Sequence, residues 1–182
     1  ASLMALVSTA AFAAEPENTL VISLKDGDVT IALRPDLAPK HVEQIKALTR
    51  KGAYDNVVFH RVIDGFMAQT GDVQFGNSAK DFNPAQAGMG GSDLPDIKAE
   101  FSQEPFVRGT VGMARAQSPD SANSQFFITF GDASFLNGQY TVVGNVESGM
   151  ELVDKIKKGD EAQNGVVADP DKMVKVKIAA DK

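Results

Sequence analysis

The chain is predicted to be mainly β: a closed eight-stranded antiparallel barrel capped by two α-helices. Three observations point there. Apolar residues alternate with polar ones, at the two-residue period of a strand, in about eight short runs. Turn residues of hairpin type separate these runs, and no strand–helix–strand alternation dominates. Only two segments carry helical spacing. Closing such a sheet on itself removes its exposed edges, and one helix over each open end completes the domain.

Taken in order, Leu20, Ile22 and Leu24 alternate, Asp26-Gly27-Asp28 turns, and Val29, Ile31 and Leu33 alternate again, which is a hairpin. Pro39 opens a helix whose Val42, Ile45 and Leu48 form one apolar stripe, and Gly52 stops it. Two strands follow, Phe59–Ile63 and the run ending at Gln69, joined at Gly65. Residues 71–95 are rich in turn chemistry and read as a long loop, the kind that is often functional. Phe101 and Phe106 are expected to pin the next segment to the core. Thr110–Arg115, Ser124–Phe130 and Tyr140–Val146 read as strands. In the second of these, Phe126, Ile128 and Phe130 share a core face, while Gln125, Phe127 and Thr129 share a mixed one. Ser148-Gly149-Met150-Glu151 has capping-box spacing and predicts a helix to about Lys158. Val174, Val176 and Ile178 make a last, half-exposed strand.

The length of 182 residues suits one domain with a proper core, and 43% hydrophobic content is that of a soluble globular protein. A net charge of -6 disfavours nucleic acid as a partner. With no cysteine there is neither disulfide nor thiolate chemistry, and two histidines without clustered spacing argue against a transition-metal site. Neither a Gly-x-Ser-x-Gly elbow, a P-loop nor a dinucleotide glycine pattern occurs, so no cofactor is expected. Residues 1–14 are small and apolar, and Ala11-Phe12-Ala13 has the form of a signal-peptidase site. They read as the remnant of a cleaved secretory signal, with residues 15–182 as the single functional domain. The other reading is an apolar N-terminal helix packed on that domain. The run is too short to span a bilayer, and no later stretch is a membrane span.

The most informative stretch runs from Phe59 to Asp72. It sets a cation, Arg61, beside apolar Phe66 and Met67 and the amide of Gln69. It holds no nucleophile and no acid–base pair. Such a set suits holding an apolar ring still while a donor meets one lone pair. Taken alone, Arg61 reads as a solvated edge charge, and Phe66, Met67 and Phe127 read as core. His60 falls on the face opposite Arg61 and is expected to be a core histidine with its hydrogen bonds satisfied. His41 is expected to be exposed.

Phe59-His60-Arg61-Val62-Ile63-x-Gly65-Phe66-Met67-x-Gln69-x-Gly71-Asp72, followed by Ser124-Gln125-Phe126-Phe127-Ile128, resembles the cyclophilins, a family of peptidyl-prolyl cis–trans isomerases. Gly88-Met89-Gly90-Gly91, Gly112-Met113-Ala114 and Phe135-Leu136-x-Gly138 extend the resemblance over nearly all of the chain after residue 14. With the signal remnant, the chain is most similar to the bacterial exported branch. The resemblance implies that Arg61 is the catalytic arginine. It implies that Phe66, Met67, Phe127 and Leu136 form the proline pocket, with Gln69 and Gln125 as the polar groups beside it. Ala114 and Arg115 match the ledge that meets the peptide backbone, where the second residue is often Asn. Phe135 stands where vertebrate members carry Trp, and Tyr140 where many carry His. Losing the indole N–H implies weak binding of the cyclosporin drugs, so a titration is expected to show no tight binding. The implied partners are proline-containing polypeptides, above all unfolded exported proteins, met in the periplasm by a monomer. The alternative is a proline-peptide-binding holdase that uses the same groove without turnover.

Overall fold

The computed structural model describes residues 14–181. The expected signal remnant therefore falls almost wholly outside the described residues. Among the described residues ten strands form: β1 (Thr19–Leu24), β2 (Gly27–Leu33), β3 (Val57–Val58), β4 (Arg61–Ile63), β5 (Met67–Thr70), β6 (Thr110–Met113), β7 (Phe126–Thr129), β8 (Val142–Ser148), β9 (Lys172–Met173) and β10 (Lys175–Ile178). Eight of them make one antiparallel sheet in the order β10-β1-β2-β8-β6-β7-β5-β4, and β3 pairs with β9 as a separate ribbon.

The sheet is curled, and its two edge strands, β4 and β10, do not pair with each other. The expected closed barrel is thus an open one. The segments just before those edges, β3 and β9, pair instead, with Val57 opposite Met173. Lys175 and Lys177 alternate with buried Val176 and Ile178 along the β10 edge, and edge lysines discourage further strand addition.

Helix α1 (Pro39–Arg50) buries Val42, Ile45 and Leu48 as its spacing predicts, and packs on β10. Its cap residue, Ala38, has no side chain to offer, so the loop carboxylate of Glu100 serves instead. Glu100 Oε1 accepts from the His41 N–H at 2.9 Å and lies 2.6 Å from His41 Nδ1. His41 is fully buried by this arrangement, not exposed. Burial lowers its pKa, and the carboxylate opposes that shift.

The second helix, α2 (Met150–Val153), is a single turn and does not reach Lys158 as a helix. The capping box does not form, because Ser148 Oγ lies 2.6 Å from Thr30 Oγ1 across the β2–β8 pair. Gly149 caps the turn at φ 86, and a Cβ there would lie 2.7 Å from the Asp28 carbonyl oxygen. Chain packing thus overrides the local motif.

Two apolar clusters result. The larger one lies between the sheet and the helices and includes Phe126, Ile128 and Phe130. The smaller one, on the other face of β7, gathers Met67, Phe106, Phe127, Leu136 and Val142. Phe106 is buried as expected, whereas Phe101 is exposed and pins nothing.

Candidate functional site

The site begins with strand register. Across β4, β5, β7 and β6, Arg61 is opposite Gln69, Gln69 opposite Phe127, and Phe127 opposite Gly112. Cross-strand partners share a face, so a cation, an amide, an aromatic ring and a bare position stand in one row. The bare position is required. A Cβ on Gly112 would lie 2.6 Å from both the Phe106 and the Phe127 rings, which stack with centroids 5.7 Å apart.

A groove of about 490 Å³ opens over this row. Met67, Phe127 and Leu136 line it as nearly buried side chains, with Phe66 and Tyr140 beside them. The Tyr140 ring meets Phe127 edge-on at 5.9 Å. Arg61, Gln69, Ala114 and Arg115 join them, so that nine of the eleven expected residues line this one surface. Gln125 borders an adjoining recess of about 390 Å³ that shares Gln69, Ala114 and Arg115 with the groove. Phe135 does not line the groove. The residue is 64% exposed and its ring centroid stands 5.3 Å from that of Phe66, so it buttresses the wall from outside.

Arg61 is held on three sides. Its Nε donates to the Asn164 carbonyl at 2.9 Å, Nη2 to Asn164 Oδ1 at 3.0 Å, and Nη1 to Gln69 Oε1 at 3.2 Å. A guanidinium has five N–H groups, so two remain for a ligand in the groove. Burial lowers the pKa of Arg61, opposed by Tyr140.

Gln69 passes the constraint on. Its Nε2 donates to Gln125 Oε1 at 3.0 Å, and Gln125 Nε2 donates to the carbonyls of Gly88 and Gly90 at 3.0 and 2.8 Å. The same two glycines give their N–H groups to buried Asp72, at 2.7 and 3.0 Å.

Sequence reasoning missed Asn164, which holds Arg61 from a residue at φ 57. The Asn-Gly pair at 164–165 is the turn signal that marks it. It also misjudged His60. This histidine is buried on the groove wall, but neither ring nitrogen has a hydrogen-bond partner among the described residues. Gly88 lies against it at φ +102, where a Cβ would come within 3.1 Å of Nε2.

Burial pushes the pKa of His60 down to about 4, with Asp72 opposing and Arg61 reinforcing. A histidine near 6.5 when unfolded and near 4 when folded binds more protons in the unfolded chain between those values. Its contribution is therefore complete above pH 6.5 and lost as pH falls toward 4, about 3 kcal/mol in all. Urea unfolding of His60→Leu is expected to show a shallower loss of stability than the wild type over that window. Equal slopes would rule out the assignment.

Comparisons with known proteins bear on this geometry. The family model described as "Cyclophilin type peptidyl-prolyl cis-trans isomerase/CLD" matches residues 19–178. A "Probable peptidyl-prolyl cis-trans isomerase" of Brucella suis is 70% identical over 171 residues, covering 94% of this chain and 87% of the relative. The crystal structure of cyclophilin AquaCyp293 from Hirschia baltica superposes with a TM-score of 0.77 at 25% identity, covering 93% of this chain and 76% of that one. A Cryptosporidium parvum cyclophilin-type isomerase, solved in the presence of the dipeptide Ala-Pro, gives a TM-score of 0.74 at 27% identity and covers 88% of this chain and 98% of that one.

Proposed function

Since the chain belongs to the cyclophilin-type peptidyl-prolyl cis–trans isomerases, enzymes that accelerate rotation about Xaa-Pro bonds, we propose that the groove around Arg61 is where it does so. The observation that carries this reading is a cation with two N–H groups to spare, fixed at the edge of an open apolar hollow.

The chemistry asks for no covalent step. Delocalisation of the nitrogen lone pair into the carbonyl makes a barrier of about 18–20 kcal/mol. The two isomers at Xaa-Pro are close in energy but exchange over tens to hundreds of seconds. In the twisted amide the lone pair returns to the nitrogen and accepts a hydrogen bond, which the planar amide does not. A donor fixed at that point acts on the transition state rather than uniformly.

Met67, Phe127 and Leu136, with Phe66 beside them, hold the proline ring, and Arg61 meets the lone pair. Gln69 and Asn164 keep the guanidinium turned to the hollow. Neither the N–H nor the C=O of Arg115 has a backbone partner among the described residues, which leaves both for the peptide main chain. The test is Arg61→Ala, assayed on an Xaa-Pro peptide. A rate equal to wild type would sink the assignment.

A module that binds proline peptides without turnover is not favoured, since relatives at 70% identity carry isomerase names. The substrates are proline-containing segments of incompletely folded chains. Phe82, Met89 and Val166 stand exposed around the groove and offer apolar contact to such chains. Export to the periplasm rests on residues 1–14. The mass of the mature protein recovered from cells, with or without those residues, decides it.

A further inference from the structure

The protein has five arginines and a net charge of -6. Three of the five are neutralised by carboxylates. Arg34 pairs with Asp36 at 2.8 Å, Arg50 with Glu17 and Asp181 at 2.9 Å each, and Arg108 with Asp154 at 2.6 Å. The other two, Arg61 and Arg115, both border the groove, and no carboxylate pairs with either among the described residues.

Arg115 is as firmly placed as Arg61, and again by neutral oxygens. Its Nη2 and Nε donate to the Gln139 carbonyl at 2.8 and 3.3 Å, and Nη1 donates to the Ala116 and Gln117 carbonyls at 3.0 and 3.1 Å. It lies over the Tyr140 ring, 4.6 Å from the centroid. Four bonds to neutral carbonyls and a stacked face fix where the charge sits without cancelling it. The groove lining includes neither Asp nor Glu, and nor does that of the adjoining recess, where Ser121 and Asn123 supply the polar rim.

An acidic protein has thus kept its substrate surface free of acids and left two cations there uncompensated. Water alone does not require this, because carboxylates satisfy an arginine elsewhere on the same molecule. The geometry points to a substrate preference: proline segments carrying an acidic side chain, Asp or Glu, in a residue flanking the proline, where it meets Arg115. Arg61 is committed to the amide nitrogen, so Arg115 is the charge left to read the neighbour. This inference rests on the site reading above and deepens it.

The test uses alanine-based peptides with one proline and a single Glu, Gln or Lys, moved through the two positions on either side. Exchange between isomers is followed by NMR, so that no coupling protease imposes its own preference. At low ionic strength the wild type is expected to favour Glu over Lys by about three- to fivefold in kcat/KM at one or more positions, the size an exposed ion pair supports. The ratio should shrink toward one in about 1 M salt, where the screening length falls to about 3 Å. In Arg115→Gln the Glu-to-Lys ratio should also approach one, whatever happens to the alanine reference rate. Equal rates for Glu and Lys at all four positions overturn the inference, as does a ratio unchanged in Arg115→Gln. If that variant does not fold, the salt dependence of the wild-type ratio decides alone. The two readings fail differently. Turnover of the alanine peptide without charge preference removes only the acidic preference, whereas an Arg61→Ala enzyme as fast as wild type removes both.

Discussion

Arg61→Ala is expected to lower kcat/KM on an Xaa-Pro peptide by about a hundredfold while leaving the fold in place. A hydrogen bond from a charged donor is worth about 1.5–3 kcal/mol net, and each 1.36 kcal/mol is a factor of ten in rate. That brackets the loss between roughly tenfold and 150-fold. It cannot abolish activity. An acceleration of about a hundred-thousandfold would need roughly 7 kcal/mol. The remainder would have to come from excluding water around the amide and from holding the ring while the rest of the peptide turns. The side chain is half-buried at a sheet edge and its partners are Gln69 and the Asn164 backbone and amide. Gln69 retains its bond to Gln125 in the variant, so unfolding is not the expected outcome. Arg61→Lys should recover little, because an ammonium presents no planar fork to Asn164 and Gln69 at once. Full activity in either variant would show that the rotation is accelerated by something else.

Asp72→Ala carries the largest expected loss of stability. The carboxylate is fully buried. Oδ1 accepts the N–H groups of Gln74 and Phe75, and Oδ2 those of Gly88 and Gly90, all within 2.7–3.1 Å. Removing it leaves four backbone donors without their acceptor. The cost is about 3–5 kcal/mol, less than four separate charge-assisted bonds would sum to because the loop relaxes. Asp72→Asn should recover only part, since its amide N–H group would face backbone donors. Denaturant unfolding measures both. A loss under about 1 kcal/mol for Asp72→Ala would mean that the loop finds other partners.

The parts of the site legible in the sequence are those that depend on alternation along one strand. Phe126 and Phe127 sort to opposite clusters as the two-residue period demands. Arg61 stands beside the apolar hollow that its neighbours announce. What sequence could not carry is the pairing between strands distant in the chain. The row from Arg61 to Gly112 spans four strands and is set by register, which no local pattern encodes.

Three of the points that sequence reading missed share a cause. His41 is buried by Glu100, Ser148 is drawn from its cap by Thr30, and Arg61 is anchored by Asn164, each partner lying 59 or more residues away. His60 failed for a different reason. The assumption that a buried histidine has found partners is a statistical one, and this ring sits in the exception. The closed barrel was inferred from the cost of open edges. Here the gap is managed by the short β3–β9 ribbon and by edge lysines rather than by a full ladder.

The line of amides from Arg61 through Gln69 and Gln125 ends on main-chain oxygens, which can only accept. Every link therefore has a compulsory direction, and neither glutamine can rotate end for end without placing like groups against each other. The terminus that sets this polarity is the turn at 88–90, whose own amides are clamped from behind by Asp72. A shift of that turn would be transmitted as a change in aim at the guanidinium, with only the two glutamine side chains between them along the chain of bonds. Under the site reading proposed above, substrate that leans on the turn while its proline occupies the hollow would thus adjust the very group proposed to act on it.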